Sequence, residues 1–340
     1  MKHAEWCPYR LDFTFNAVTS RQSMTYKDTY FIRVTDDARP NEITYAECAL
    51  FKGLSAEDCA DYEKQLSKAC ASPEDALRHP FSSIRFGFEQ ALSPSPVSSW
   101  SAGKSGIPIN GLVWMGDKAT MRRRIAEKLD AGFGVLKLKI GGISFDDELD
   151  LLDSVRRTFS SDALEIRLDA NGHFSAAEAS GVLARLAPYH IHSIEQPIAA
   201  GQPEAMGCLC RHTPIPIALD EELIGLRSAA EARMLIEEIK PQYIILKPSL
   251  CGGYRASDDY IAIAGDMGIG WWATSALESN VGLYGLGAWL AHKGMDMPQG
   301  LGTGQLYSNN IASPLELRGS ALWCGPGLSW GDMEGLPWRS

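Results

Sequence analysis

Two rhythms of apolar and polar positions divide the chain. Residues 9–15 (YRLDFTF) and 30–35 (YFIRVT) alternate with a period of two, and 44–51 (TYAECALF) continues that alternation, which predicts strands. Residues 55–70 change to helical spacing, with Ser55 as N-cap and Asp58 three residues on, and residues 83–92 predict a second helix. The stretch SPSPVSSWSAGKSG at 93–106 is rich in Ser, Pro and Gly and reads as a boundary. The first hundred residues are therefore expected to form a small α+β unit.

From Ile107 the pattern becomes a regular alternation of short apolar runs and helical segments. The runs lie at 109–115, 135–140, 164–170, 191–197, 214–221, 242–248 and 269–275, with a weak eighth at 299–304. Helical spacing fills 117–131, 145–159, 175–186, 228–239, 255–267 and 279–292. Repeated strand–helix units imply a parallel sheet covered by helices. Seven or eight units over about 200 residues match the length of a (β/α)8-type barrel. A doubly wound open sheet is the rival architecture. It is disfavoured because no Gly-rich phosphate turn follows the first strand, and Gly282, Gly285 and Gly287 fall inside a helical pattern.

Charge changes the picture at the strand ends. Lys137 and Lys139, then Asp169, Glu195, Asp220 and Lys247, lie near the C-terminal ends of successive runs. In a barrel those ends surround one mouth, so groups distant in sequence converge. Side chains two apart share a face of a strand, so Lys137 and Lys139 point together, as do Arg167 and Asp169. A single Asp after a strand is commonly a helix cap, and a single Lys a surface charge. The ordered set on consecutive strands is much harder to obtain by chance. Three buried carboxylates repel one another unless a cation joins them. An all-oxygen donor set suits Mg²⁺, with Mn²⁺ possible. A lysine near a dication and a second ammonium has its charged form disfavoured and becomes usable as a general base.

Composition excludes several classes. The 340 residues carry a formal charge of −10, against the basic face expected of a nucleic-acid partner. No apolar run is long enough to span a membrane, and MKHAEWCPYR lacks the apolar core of a signal peptide. The eight cysteines form no CxxC pair or zinc-like set, and no glycosylation sequon is present, so a cytoplasmic location is expected. Cys48, Cys59 and Cys70 recur every 11 residues, which suggests one buried helix face.

The motifs Leu138-Lys139-Ile140-Gly141, Arg167-Leu168-Asp169-Ala170-Asn171-Gly172, Ile194-Glu195-Gln196-Pro197, Ala218-Leu219-Asp220-Glu221 and Leu246-Lys247-Pro248 resemble the enolase superfamily. Within it they are similar to the muconate-lactonizing-enzyme subgroup, with its Lys-x-Lys on the second strand and Lys on the sixth. That superfamily is itself a standing example of a Lys or His base working with Mg²⁺. The resemblance implies a modified (β/α)7β barrel at 106–307. It also implies a capping domain at 1–105, completed by the tail 308–340. Carried over by position, Asp169, Glu195 and Asp220 would bind the metal. Lys139 would abstract a proton α to the carboxylate of a small-molecule substrate, Lys247 would stabilise the enolate, and Lys137 would assist Lys139. Asn171, Arg167 and Glu221 would support them.

Within the subgroup, the chain most resembles the o-succinylbenzoate synthases, Mg²⁺-dependent dehydratases (lyases) of menaquinone biosynthesis. The alternatives are N-succinylamino acid racemase and dipeptide epimerase. Dipeptide epimerases carry Asp-x-Asp on the eighth strand, where residues 300–305 here read GLGTGQ without an acid. The resemblance makes Ser275 a candidate for receiving the succinyl carboxylate, and Arg21, in a capping loop at 16–27, a candidate for a carboxylate contact. A Schiff-base aldolase using Lys247, or a barrel that only binds, would leave the three carboxylates or the paired lysines without a task.

Overall fold

A computed structural model of the chain describes residues 1–18, 23–295, 297–325 and 327–340. Three antiparallel strands, β1 (Lys2–Val18), β2 (Ser23–Asp36) and β3 (Arg39–Cys48), pair in sequence order. Alternation carries Tyr30, Ile32 and Val34 to one face, where α1 (Tyr62–Ala71) and α2 (Ser82–Leu92) cover them. The helix expected from Ser55 begins only at Tyr62. Ser55 Oγ instead accepts the Phe51 N–H within a turn, and Glu57 turns back to accept the N–H of Ser83 at 2.7 Å. The 11-residue cysteine spacing is likewise not a helix face. Cys48 is in β3, Cys59 is exposed in a turn, and Cys70 is buried on α1.

After β4 (Ile107–Pro108), strands and helices alternate: β5 (Gly111–Val113), α3 (Lys118–Asp130), β6 (Val135–Lys139), α4 (Phe145–Arg156), β7 (Glu165–Asp169), α5 (Ala176–Leu186), β8 (Ser193–Glu195) and α6 (Pro203–His212). They continue through β9 (Ile217–Leu219), α7 (Ala229–Ile239), β10 (Tyr243–Leu246), α8 (Gly253–Met267), β11 (Gly270–Ala273) and α9 (Asn280–Leu290). Helix α6 was not evident from hydrophobic spacing. Pro203 opens it, and its buried stripe of Met206, Gly207, Leu209 and Cys210 includes a glycine that adds no apolar side chain to the pattern.

Strands β5 to β11 form one parallel sheet in sequence order. Residues 299 and 300 close it into a barrel, pairing Gln299 with Ile109 and Gly300 with Thr274. The backbone bonds Asn110 N–H to Gln299 O, 3.0 Å, and Gly300 N–H to Ala273 O, 2.7 Å, seal the seam. Odd and even positions separate as the pleat requires. Leu136, Leu138, Ile166, Leu168 and Leu246 pack toward the helices, while Ala218, Ile245 and Trp272 fill the barrel interior. Side chains of Asp117, Ser144, Ser175, Ser228 and Ser279 accept first-turn N–H groups of the helices that follow them.

Beyond the barrel, β12 (Leu315–Arg318) and β13 (Ala321–Cys324) pair with each other, and β13 pairs with β4. Arg339 pairs with Trp6 of β1. Glu47 joins the N-terminal sheet to the barrel. Its buried carboxylate accepts from Ser279 N, Ser279 Oγ, Gly282 N and Thr29 Oγ1, at 2.9, 2.6, 3.1 and 2.7 Å. Replacing Glu47 by alanine strands several of these donors. The expected cost is about 2–4 kcal/mol, visible as a lower thermal midpoint. An unchanged midpoint would show that the junction does not depend on this carboxylate.

Candidate active site

The strand–helix geometry brings the charged strand ends together. A cavity of about 210 Å³ at the barrel mouth, sized for a small molecule, is lined by Lys137, Lys139, Asp169, Asn171, Glu221 and Lys247. Lys137 and Lys139 share Asp169 Oδ2, each at 2.9 Å. Lys139 Nζ also donates to Asn171 Oδ1 at 2.7 Å and lies 5.5 Å from the centre of the Trp114 ring. Asn171 can reach back because its backbone is left-handed, with φ of 45°. Its N–H donates to Asp169 Oδ1 and its Nδ2 to Glu221 Oε1, both at 3.1 Å. On the other side, Lys247 Nζ donates to Asp220 Oδ2. Glu195 lies between the lysines, with Oε2 2.6 Å from Lys137 Nζ and Oε1 3.8 Å from Lys247 Nζ.

Burial sets the electrostatics. Burial opposes the charge of Asp169, but Lys137, Lys139 and Lys247 outweigh it and hold the carboxyl far below its usual range. Burial, then the charges of Asp169 and Asp220, push Glu195 up to about 8. Asp220 is also raised, mainly by burial, against the pull of Lys247. Burial favours neutral Lys137 and Lys247, yet their carboxylate neighbours outweigh it and raise both.

The donor chemistry fits a hard divalent cation. Four carboxyl groups, from Asp169, Glu195 and the adjacent pair Asp220 and Glu221, stand at three consecutive strand ends with only oxygen to offer. Neither Glu195 oxygen has a hydrogen bond among the described residues, because its approach to Lys137 is off the hydrogen-bond directions. Burial and its acidic neighbours favour the neutral form of this carboxyl, and a dication held there would restore its charge. Ammonium groups stand between the carboxylates, and among the described residues no three acidic, His or Cys groups are drawn together as a metal cage.

The remaining sequence-derived candidates are placed differently from one another. Arg167 is buried one layer below the cavity, donating to Glu165 at 2.6 Å and Pro298 O at 2.8 Å, with its guanidinium 4.3 Å from the Trp272 ring centre. Ser275 lines the cavity, but its hydroxyl donates to the buried Glu278 at 2.6 Å. Arg21 lies outside the described residues. Sequence reading missed the role of Gln196. Its Oε1 accepts the N–H of Asp220 at 3.1 Å, and its Nε2 donates to Glu222 at 3.0 Å, so it pins the turn that presents Asp220. Its position beside Glu195 in the quoted motif was the only signal. Glu148 does comparable work after β6, accepting from Gly141 N–H at 2.6 Å and Gly142 N–H at 3.3 Å.

Known proteins resemble this chain in sequence and fold. An o-succinylbenzoate synthase of Desulfotalea psychrophila is 41% identical, over 92% of this chain and 97% of that protein. The crystal structure of MenC from the same organism superposes with a TM-score of 0.78 at 37% identity, covering 95% of this chain and 99% of that one. A dipeptide epimerase of Cytophaga hutchinsonii, complexed with Mg and a dipeptide, superposes with a TM-score of 0.83 over 100% of this chain and 98% of its own, at 20% identity, a likeness of fold. The family model described as enolase C-terminal domain-like matches residues 120–322. The lysine-flanked carboxylates at the mouth of a capped barrel and these matches agree: the chain belongs to the enolase superfamily, among the relatives of the o-succinylbenzoate synthases.

Proposed function

We propose that this chain dehydrates 2-succinyl-6-hydroxy-2,4-cyclohexadiene-1-carboxylate to o-succinylbenzoate, the reaction of the synthase it resembles at 41% identity. The observation that carries the chemistry is the placement of Lys139 and Lys247 on opposite sides of one carboxylate cluster, each bound to a different aspartate. A proton α to a carboxylate is a very weak acid, and its removal needs both a base and compensation for the developing enolate charge. Lys139, oriented by Asn171, takes that proton. Lys247 faces the developing charge from the other side. The ammonium form of Lys139 then returns its proton to the departing hydroxide, so one side chain serves both halves of a syn elimination. Asp169, Glu195 and Asp220 would hold Mg²⁺, which when bound supplies Lewis-acid stabilisation of carboxylate oxygens. The division into a cap of residues 1–105 with 308–340 and a barrel of 106–307, in a cytoplasmic protein, belongs to the same reading.

The purified chain with Mg²⁺ is expected to form o-succinylbenzoate from the cyclohexadiene, followed by chromatography. Failure to form it would remove the assignment. Chelation by EDTA should lower turnover by about 10²-fold or more, with recovery on adding Mg²⁺. Activity indifferent to chelation would exclude the metal. Against dipeptide epimerisation stands the neutral lining where the eighth strand ends, with Gly300, Gly302 and Thr303 at the cavity.

A further inference from the structure

Lys139 ends β6, between β5 and β7, and its two flanks differ. On the β7 side it finds polar partners, Asp169 Oδ2 at 2.9 Å and Asn171 Oδ1 at 2.7 Å. On the β5 side it meets a ring. Val113 pairs with Leu138, and Trp114 follows Val113 as Lys139 follows Leu138. Asp169 and Glu195 continue the same row across the barrel mouth. Lys139 Nζ stands over the Trp114 ring, 5.5 Å from its centre, within reach of a cation–π contact.

The ring is itself held, and largely from the N-terminal sheet. Its Nε1 donates to Val18 O, at the end of β1, at 2.5 Å. Phe15 of the same strand meets it edge-on, with ring centres 5.9 Å apart and planes at 72°. From α3, Arg124 donates to Trp114 O at 2.9 Å and Met115 O at 2.6 Å, and its guanidinium stands over the Phe15 ring at 5.0 Å. Trp114 packs with Leu11, Phe13 and Leu277 and also lines the cavity. A lysine amine rides on a flexible four-carbon stem. Hydrogen bonds from the β7 side alone leave its other side open, and a reacting group misplaced by about 1 Å loses about 10²-fold in rate.

We infer that Trp114 is a positioning residue for Lys139. Its ring closes the β5 side of the base, and β1, through Phe15 and Val18, fixes the plane of that ring. The N-terminal sheet thereby takes part in the proton-transfer step, beyond lining the cavity through Phe51 and Leu54 in the turn after β3. This deepens the proposed function and rests on it.

The test compares the wild-type chain with Trp114→Leu, which is apolar but has no ring, and Trp114→Phe, which keeps a ring without the N–H. Steady-state and single-turnover kinetics with the cyclohexadiene are measured at a temperature where circular dichroism shows each chain folded. Trp114→Leu is expected to lower kcat and the single-turnover rate by about tenfold or more with KM within about threefold, and Trp114→Phe to recover most of that loss. Phe15, which supports the ring from outside the cavity lining, gives an independent reading: Phe15→Leu is expected to lower kcat by about threefold at the same KM. A raised KM with kcat kept would make Trp114 a wall for the substrate. A lowered thermal midpoint with both constants kept would make it packing alone. Either result overturns the inference while the reaction stands, and so does a Trp114→Phe chain as slow as Trp114→Leu. A wild-type chain that does not dehydrate the cyclohexadiene overturns both.

Discussion

Lys139→Ala is expected to lower kcat by at least about 10³-fold with little change in KM. A positioned general acid or base contributes about 10²–10⁴-fold, and Lys139 is assigned both proton transfers. The residue touches the reacting centre only through its amine. Its removal therefore withdraws an interaction used in the transition state and leaves ground-state binding to the rest of the cavity. Asp169 keeps Lys137 at 2.9 Å in the variant, so the carboxylate is not left unpaired and the fold is expected to survive. Circular dichroism and the thermal midpoint check that point, and single-turnover assays read the chemical step. Turnover within tenfold of wild type would move the base elsewhere, with Lys247 as the next residue to test.

Glu195→Gln is expected to separate stability from function. In the metal-free site Glu195 is a buried carboxylate without a hydrogen bond, wedged between Asp169 and Asp220. Burial and the charges of Asp169 and Asp220 already favour the neutral form of Glu195 there, so an amide in its place costs the metal-free cluster little. The metal-free variant should unfold at a temperature equal to or above that of the wild type. The same change removes a ligand from the set proposed for the cation. The rise in thermal midpoint that Mg²⁺ gives the wild type should largely vanish, and turnover should fall by about 10²-fold or more. A variant that retains the full Mg²⁺-dependent rise would show that Glu195 is not a ligand.

Much of this site was legible before any coordinates, for a physical reason. Strand parity and the 25–30-residue spacing of βα units are local properties, and a closed barrel converts them into convergence at one mouth. Lys139, Asp169, Glu195, Asp220 and Lys247 could therefore be placed together from the pattern alone. The residues that hold them were less accessible. Gln196 acts by folding back on Asp220 from a left-handed backbone, φ 41°, which no periodicity announces. Glu47 meets Ser279 across 232 positions, a contact that no local window contains. Arg167 shares a face with Asp169 as parity requires, yet it sits a layer deeper, because depth along the barrel axis is not encoded in the alternation. The start of α1 was misplaced for the opposite reason. Ser55 is a good helix cap, but it is used in a turn.

The two-residue eighth strand has a consequence for how the molecule is made. Ile109 and Gln299 are paired across 190 positions, whereas the strands that carry the charged groups pair with immediate neighbours in the chain. Neighbour pairing closes short loops and is fast, and pairing across such a span is slow. On the ribosome, β6 to β10 can assemble into a curved sheet, with its carboxylates and lysines already adjacent, long before residues 299–300 emerge. Until they do, the open edges of β5 and β11 are exposed to pairing with another chain. Substitutions near Gly300 that slow its docking should therefore reduce soluble yield more than they reduce the stability of whatever folds.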